Sequence, residues 1–125
     1  MNNEEFVKEY RETVSRIFLL SDKARREGLI AVDSMIDENK YNQRDIFEFG
    51  LRLAMDGTDG RIIEQILTNI VNLETDDNKK LLQTIKKEAV LKIQEGWNPR
   101  LLKLLLNSYV NIDVEETMKL YNNRM

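Results

Sequence analysis

Apolar residues return every three or four positions along most of this chain, which is the spacing of one face of an amphipathic helix. In the first segment, residues 4–35, the row consists of Phe6, Val7, Tyr10, Val14, Ile17, Phe18, Leu20, Ala24, Leu29, Ile30, Val32 and Met35. This segment has no proline and a single glycine, Gly28. One helix of about thirty residues would span about 45 Å, the length of a rod that projects from a larger body. The alternative is a bend or break within residues 21–28.

Polar stretches and the few glycines and the proline divide the rest of the chain into further helices. The second helix is predicted to start at Asn42 as its cap, with Asp45 in its first turn, and to end at Asp56 and Gly57; Thr58 or Asp59 caps the third helix. A further helix ends at Gly96, and Asn98 with Pro99 starts the next one. Asp113 with Glu116 is a weaker start for a last helix through Tyr121. Residues 74–78 are either a joint or an exposed turn of one continuous helix.

The isoleucine-rich stretch 62–73 is predicted to be a helix, because its apolar residues come as doublets every three or four positions and not singly every two. Residues 81–93 and 101–110 follow with the same period. The chain therefore predicts an all-α fold, about five helices in a small elongated bundle with a long N-terminal helix, and residues 1–125 form a single domain.

Composition removes several classes of chemistry. The 125 residues include no Cys and no His, which excludes thiol nucleophiles, zinc fingers and imidazole-based sites. Acidic and basic residues occur throughout the first twenty positions, so no secretory signal is predicted. No apolar run reaches the ~18–20 residues that cross a bilayer. We expect a soluble, cytoplasmic protein without a cofactor.

Charge is distributed unevenly along the chain, although the net value is only −3. Residues 41–77 hold 3 basic and 8 acidic side chains, whereas residues 78–112 hold 7 basic and 2 acidic ones. The basic stretch is formed by Lys79, Lys80, Lys86, Lys87 and Lys92. Such a patch suits an anionic partner, a membrane surface or a nucleic acid. The favoured interpretation is a basic helix beside an acidic one, or simply a solvated face. Without interleaved aromatic residues we expect no nucleic-acid binding.

No set of residues is distinguished as a catalytic or metal-binding site from the other acidic residues of the chain. Pairs such as Asp76 and Asp77 arise by chance among 22 acidic residues. Asp56, Asp59 and Glu64 suggest calcium, but the ligand spacing of an EF-hand loop is missing. The favoured interpretation of these acidic residues is that they end one helix and start the next, so we predict no metal site. We also predict that the protein is not an enzyme.

Two apolar features admit an interface. Trp97 lies between Gly96 and Asn98, where a tryptophan usually fills the core but an exposed one suits a partner surface. The helix that follows contains Leu101, Leu102, Leu104, Leu105 and Leu106. Leucines cover most of its circumference, which predicts burial, with an interface on whatever side the small domain leaves uncovered.

Two parts of the chain resemble the MotA family, the ion-channel subunit of the bacterial flagellar stator. The stretches Lys-Ala-Arg-Arg-Glu-Gly-Leu-Ile-Ala-Val-Asp (23–33), Phe-Gly-Leu-Arg-Leu-Ala-Met-Asp-Gly-Thr-Asp (49–59) and residues 62–70 are similar to its cytoplasmic loop. Residues 87–102, with the signature Glu-Gly-Trp-Asn-Pro-Arg, and then Leu106, Ser108 and Tyr109 are similar to its C-terminal tail. The resemblance covers about 85 residues and assigns 1–74 to the loop and 79–125 to the tail.

The membrane helices of that family are missing from this chain. Two would precede residue 1 and two would lie near residues 74–78, so the resemblance implies a protein that cannot conduct ions by itself. It is either a natural soluble relative or a fragment from which those helices were deleted. The start Met-Asn-Asn-Glu-Glu favours the soluble relative. We expect a monomer or a weak oligomer.

The resemblance also implies a docking surface. In the family, a basic and an acidic residue of the loop face the rotor protein FliG, and alignment on Gly28 places them at Arg25 and Asp33. On one continuous helix these two side chains would share a face. Arg26 and Glu27 are further candidates, because the alignment is uncertain by about one residue.

The function predicted first is therefore a MotA-like, non-catalytic interaction module that docks on FliG or on other stator and motor components. Its expected place is the cytoplasm, at the cytoplasmic face of the inner membrane through the flagellar motor. The alternative is a soluble helical adaptor or regulatory protein unrelated to motility. A nucleic-acid binder that uses the 79–92 lysines ranks third, and an enzyme ranks last.

Overall fold

The computed structural model describes residues 1–36 and 45–110, and those residues fold into α-helices and one 3-10 helix without strands. The helices are α1 (Asn3–Glu27), the 3-10 helix (Leu29–Met35), α2 (Ile46–Met55), α3 (Gly60–Leu73), α4 (Asp77–Gln94) and α5 (Pro99–Asn107). The all-α prediction is confirmed. The predicted last helix that starts at Asp113 and Glu116 lies outside the described residues.

The predicted long N-terminal helix is confirmed as the 25-residue α1, and of the two alternatives, one continuous helix of about thirty residues or a break, the break at Gly28 forms. Gly28 ends α1 with φ at +93°, a left-handed conformation that glycine adopts without steric cost. Its N–H donates to the carbonyl of Ala24 at 2.8 Å, and the 3-10 helix then packs back against α1 and α2. Helix α1 is not a projecting rod, since Tyr10, Val14 and Ile17 are buried in the core.

Short side chains set the other helix starts. Asp45 caps α2, because its Oδ1 accepts from the Phe47 N–H at 3.1 Å. The sequence prediction gave this role to Asn42, which lies outside the described residues. Asp59 caps α3 and Asn98 caps α5 with Pro99 at its first position, as predicted. Asp76 caps α4, so residues 74–76 are a joint and not part of a continuous helix.

Helix α4 lies at the centre and packs against α1, α2, α3 and α5. Its residues Ile85, Ala89 and Val90 are completely buried. Gly50 of α2 allows the closest approach, since an added Cβ would lie 2.8 Å from Val90 Cγ2. Segments 1–74 and 79–110 thus share one core. None of the described helices has the length and apolarity needed to cross a membrane.

Candidate protein-docking surface

The last turn of α1 carries three of the four predicted contact residues, and all three are exposed. Arg26 pairs with Asp22 at 2.7 Å, and Glu27 pairs with Lys23 at 3.1 Å. Both pairs join residues four apart on the same helix, and such exposed pairs contribute little to stability. These charges are therefore accessible to a second protein.

Arg25 is held differently, by a segment distant in sequence. Its Nη1 donates to the carbonyl oxygen of Gly96 at 2.7 Å. Gly96 follows α4 with φ at +81°. Segments 1–74 and 79–110 consequently meet at Arg25, and the candidate surface includes both.

A pocket of about 190 Å³ lies at this junction. It is lined by Ser21, Ala24, Arg25, Leu29, Ile93, Gln94, Gly96 and Trp97. The lining combines one guanidinium with aliphatic and aromatic carbon, which suits an apolar side chain beside a carboxylate.

Trp97 forms one wall of that pocket and is half-buried, between the two predicted alternatives of core and surface. Its Nε1 donates to Glu95 Oε2 at 2.9 Å. The ammonium of Lys92 lies 5.3 Å from the ring centroid, within cation–π range. The ring is thus held in a defined orientation with part of its surface open to solvent.

Asp33 lies on the 3-10 helix and not on α1, so the predicted shared helix face with Arg25 does not form. The break at Gly28 redirects the chain, and the Asp33 carboxylate pairs with the buried Arg52 of α2. Arg25 reaches toward the α4–α5 junction, whereas Asp33 reaches toward α2. The two charges keep exposed atoms, but different elements orient them.

Two lysines of the basic stretch of α4 make contacts within the molecule, but not with an acidic helix. Lys87 donates to Thr68 Oγ1 of α3 at 3.3 Å, and Lys92 lies 3.6 Å from Glu88. The helix α3 beside it carries few charges, so the neighbouring acidic helix of that interpretation is not what holds these lysines. Whether the stretch binds an external anion stays a prediction.

The leucine-rich helix α5 is buried on one side only. Leu102 and Leu106 are buried, while Leu101 and Leu104 are each about half exposed, at 52% and 53%. Sequence reasoning missed the buried Lys103 on the same helix, whose ammonium lies 5.6 Å from the Phe18 ring centroid. Burial lowers the pKa of Lys103.

Of the three residues that suggested calcium, Asp56 ends α2 and Asp59 caps α3, while Glu64 lies within α3. Asp59 Oδ1 accepts from the Arg61 backbone N–H at 2.8 Å, and the Arg61 side chain lowers the pKa of that carboxyl. Over residues 1–36 and 45–110, no group of three or more acidic side chains is arranged to hold a metal ion. The predictions that the protein needs no cofactor and is no enzyme are not tested by this geometry.

Comparison with known proteins gives similarity to motility proteins. The chain is 30% identical over 81 residues to Motility protein A of Treponema pallidum (strain Nichols), and 28% identical over 81 residues to Motility protein A of Treponema phagedenis. Each alignment covers 65% of this chain but only 30% of the relative. No protein-family model and no solved structure matches the chain.

Proposed function

We propose that this chain is a MotA-like interaction domain of the bacterial flagellar motor that docks on the rotor protein FliG without catalysing a reaction. The similarity to Motility protein A over 81 residues carries this proposal. Because the chain spans less than a third of those relatives, the proposal assigns it contact with the motor and no ion conduction. Association with the motor would place it at the cytoplasmic face of the inner membrane.

The last turn of α1 supplies the docking charges in this proposal. A guanidinium has five N–H donors, so the bond from Arg25 to Gly96 leaves others for an acidic partner. Exposed ion pairs contribute about 1 kcal/mol or less, so Arg26 and Glu27 can exchange their present partners for rotor residues. Contacts of that strength form and break quickly, which suits a surface that meets successive rotor subunits.

Asp33 acts in this proposal both as a docking charge and as an orienting one. Its ion pair with Arg52 ties the 3-10 helix to α2 beside the end of α1. A variant at Asp33 therefore changes local stability together with surface charge. Arg26 offers the cleaner test, because its side chain is 69% exposed and pairs only within α1 in the described contacts.

Titration of the purified chain on the torque-bearing domain of FliG tests the proposal, with FliG immobilised at high density so that weak contacts register. We expect binding that weakens between low and moderate salt. Arg26→Glu should weaken it about fivefold or more, corresponding to ~1 kcal/mol. Arg61→Glu is the matched control, since Arg61 makes the same charge change on α3 with a side chain 91% exposed.

Equal losses for Arg26→Glu and Arg61→Glu would show that net charge, and not the α1 surface, governs binding. No binding of the wild-type chain in this format would contradict rotor docking. The remaining candidates would then be a contact on the stator side and an adaptor unrelated to motility.

A further inference from the structure

Helix α3 carries two parallel apolar rows, of which the core uses one. Ile63, Leu67 and Val71 form the first row and are buried. The second row lies beside it and consists of Ile62, Ile66, Ile70 and Leu73. Ile62 is 51% exposed and Leu73 is 81% exposed, while Ile66 and Ile70 are half-buried. The fold leaves this second row open to solvent.

The stretch 65–73, which holds most of the second row, is free of charge, whereas the exposed Arg61 and Glu64 flank Ile62 and Glu74 follows Leu73. Residues 65–73 contain no charged side chain, although 33% of the whole chain is charged. Besides Leu73, the exposed residues of the stretch 65–73 are the neutral amides Gln65, Asn69 and Asn72. Burying the 65–73 part of the face removes no ion from water, and charged side chains lie only at the two ends of the row.

We propose that this face binds a second copy of the same chain, with the two α3 helices antiparallel about a two-fold axis. An isologous contact requires a surface that is complementary to itself. The row has spacings of four, four and three residues, so an axis near residues 67–68 places Ile62 of one copy against Leu73 of the other. The same axis places Ile66 against Ile70 and brings Gln65 near Asn69 of the other copy.

The dimensions of the face predict a weak dimer. The row spans twelve residues, 62–73, whose eleven steps give about 16 Å of helix. One helix face of that length buries less than the ~1,200 Å² total that marks stable complexes. The net charge of −3 opposes association only slightly. We therefore expect a monomer–dimer equilibrium visible between about 10 µM and 1 mM protein.

Sedimentation velocity over that concentration range tests the proposal. The average mass should rise from 14.8 kDa toward twice that value. The double variant Ile62→Lys with Leu73→Lys should stay monomeric throughout. Leu19→Lys is the matched control, because Leu19 on α1 is 50% exposed and lies outside the row. Circular dichroism of each variant verifies that it remains helical.

A wild-type chain that stays monomeric at 1 mM overturns the proposal. So does a double variant that associates as strongly as Leu19→Lys.

Cysteine cross-linking tests the antiparallel arrangement, because the chain contains no native cysteine. When Ile62→Cys and Leu73→Cys chains are mixed and oxidised, the mixed 62–73 product should exceed the statistical half of all dimers. An excess of 62–62 and 73–73 products over the mixed one overturns the arrangement.

Discussion

At single residues, the buried pair of Tyr10 and Asn107 is the most direct link between the two parts of the chain. The Tyr10 hydroxyl donates to Asn107 Oδ1, 97 positions away, and both side chains are buried. Burial raises the pKa of Tyr10, so the hydroxyl remains a donor at any ordinary pH. Tyr10 occupies a regular position in the apolar row of α1, and this is why the sequence predicted only a core residue there.

Tyr10→Phe should destabilise the protein by about 1–3 kcal/mol, because the Asn107 amide stays buried after losing its donor. Urea unfolding followed by circular dichroism measures the change. In a double-mutant cycle with Asn107→Ala, we expect a coupling of about 1 kcal/mol or more. Strictly additive effects would contradict an energetic link. Tyr109→Phe serves as the control, since that half-buried tyrosine takes no part in the pair.

Helix packing is tightest where α2 crosses α4, and Gly50 sets that distance. A Cβ at Gly50 would lie 2.8 Å from Val90 Cγ2 and 3.0 Å from Leu67 Cδ1. Alanine is ordinarily favoured over glycine within a helix by about 1 kcal/mol. At Gly50 the steric contact outweighs this preference, so Gly50→Ala should lower the free energy of unfolding by about 1–3 kcal/mol.

Removing the opposing methyl groups should relieve that contact. The double variant Gly50→Ala with Val90→Ala should therefore lose less stability than the sum of its two single variants in urea unfolding. If Gly50→Ala alone raises stability, the close approach of α2 and α4 is wrong.

The start of α4 gives the fold a defined acid sensitivity. Asp76 accepts hydrogen bonds from the Met1 amine at 2.6 Å and from the Lys79 N–H at 2.9 Å, and these lower its pKa from the ordinary 3.8. A carboxylate with a lowered pKa stabilises the folded state above its unfolded pKa, and that contribution disappears as pH falls through the folded pKa.

Asp76→Asn should therefore destabilise the protein at pH 7, and its effect should shrink as the pH is lowered below the ordinary pKa of 3.8 and through the folded pKa. Urea midpoints of the variant and the wild type, measured from pH 7 down to the lowest pH at which both remain folded, test this. A difference between them that does not change with pH would contradict an ionised Asp76 in the folded state.

Sequence reasoning succeeded where the structure depends on local chemistry. Asp59, Asn98 and Pro99 determine helix starts through contacts within a few residues, and those boundaries were predicted. The end of α1 was not fixed in this way, because a glycine inside a helix costs only about 1 kcal/mol. The break at Gly28 depends also on the 3-10 helix packing against α1 and α2.

The candidate surface was predicted only as a set of residues. Arg25 donates a hydrogen bond to the carbonyl oxygen of Gly96, 71 positions away. Every residue has a backbone carbonyl, so the sequence pattern could not predict which one Arg25 contacts. The ion pair of Asp33 with Arg52 was not predicted either. Arg52 lies in an apolar stretch of the sequence, and its charge alone does not show which acidic residue it contacts. The period of the apolar residues therefore predicted the helices, but the orientation of the Arg25 and Asp33 side chains depends on tertiary packing.

Considered as a whole, the molecule is two sequence segments that form one core. Helix α1 packs against α4 and α5, and α2 and α3 pack against α4. The joint at residues 74–76 connects these segments but contributes little to the core, since Leu73 before it is 81% exposed. The fold should therefore tolerate an insertion there.

Twelve Gly/Ser residues inserted between Glu74 and Thr75 should leave the helix content unchanged. Loop closure over the longer connection costs about 1–2 kcal/mol, which urea unfolding measures. Unfolding should remain a single transition with coincident midpoints by circular dichroism and Trp97 fluorescence. The same insertion after Lys86 should abolish the fold, because it interrupts the central helix α4. Two separate transitions for the 74–75 insertion would mean that each segment folds alone, and the shared core would then be wrong.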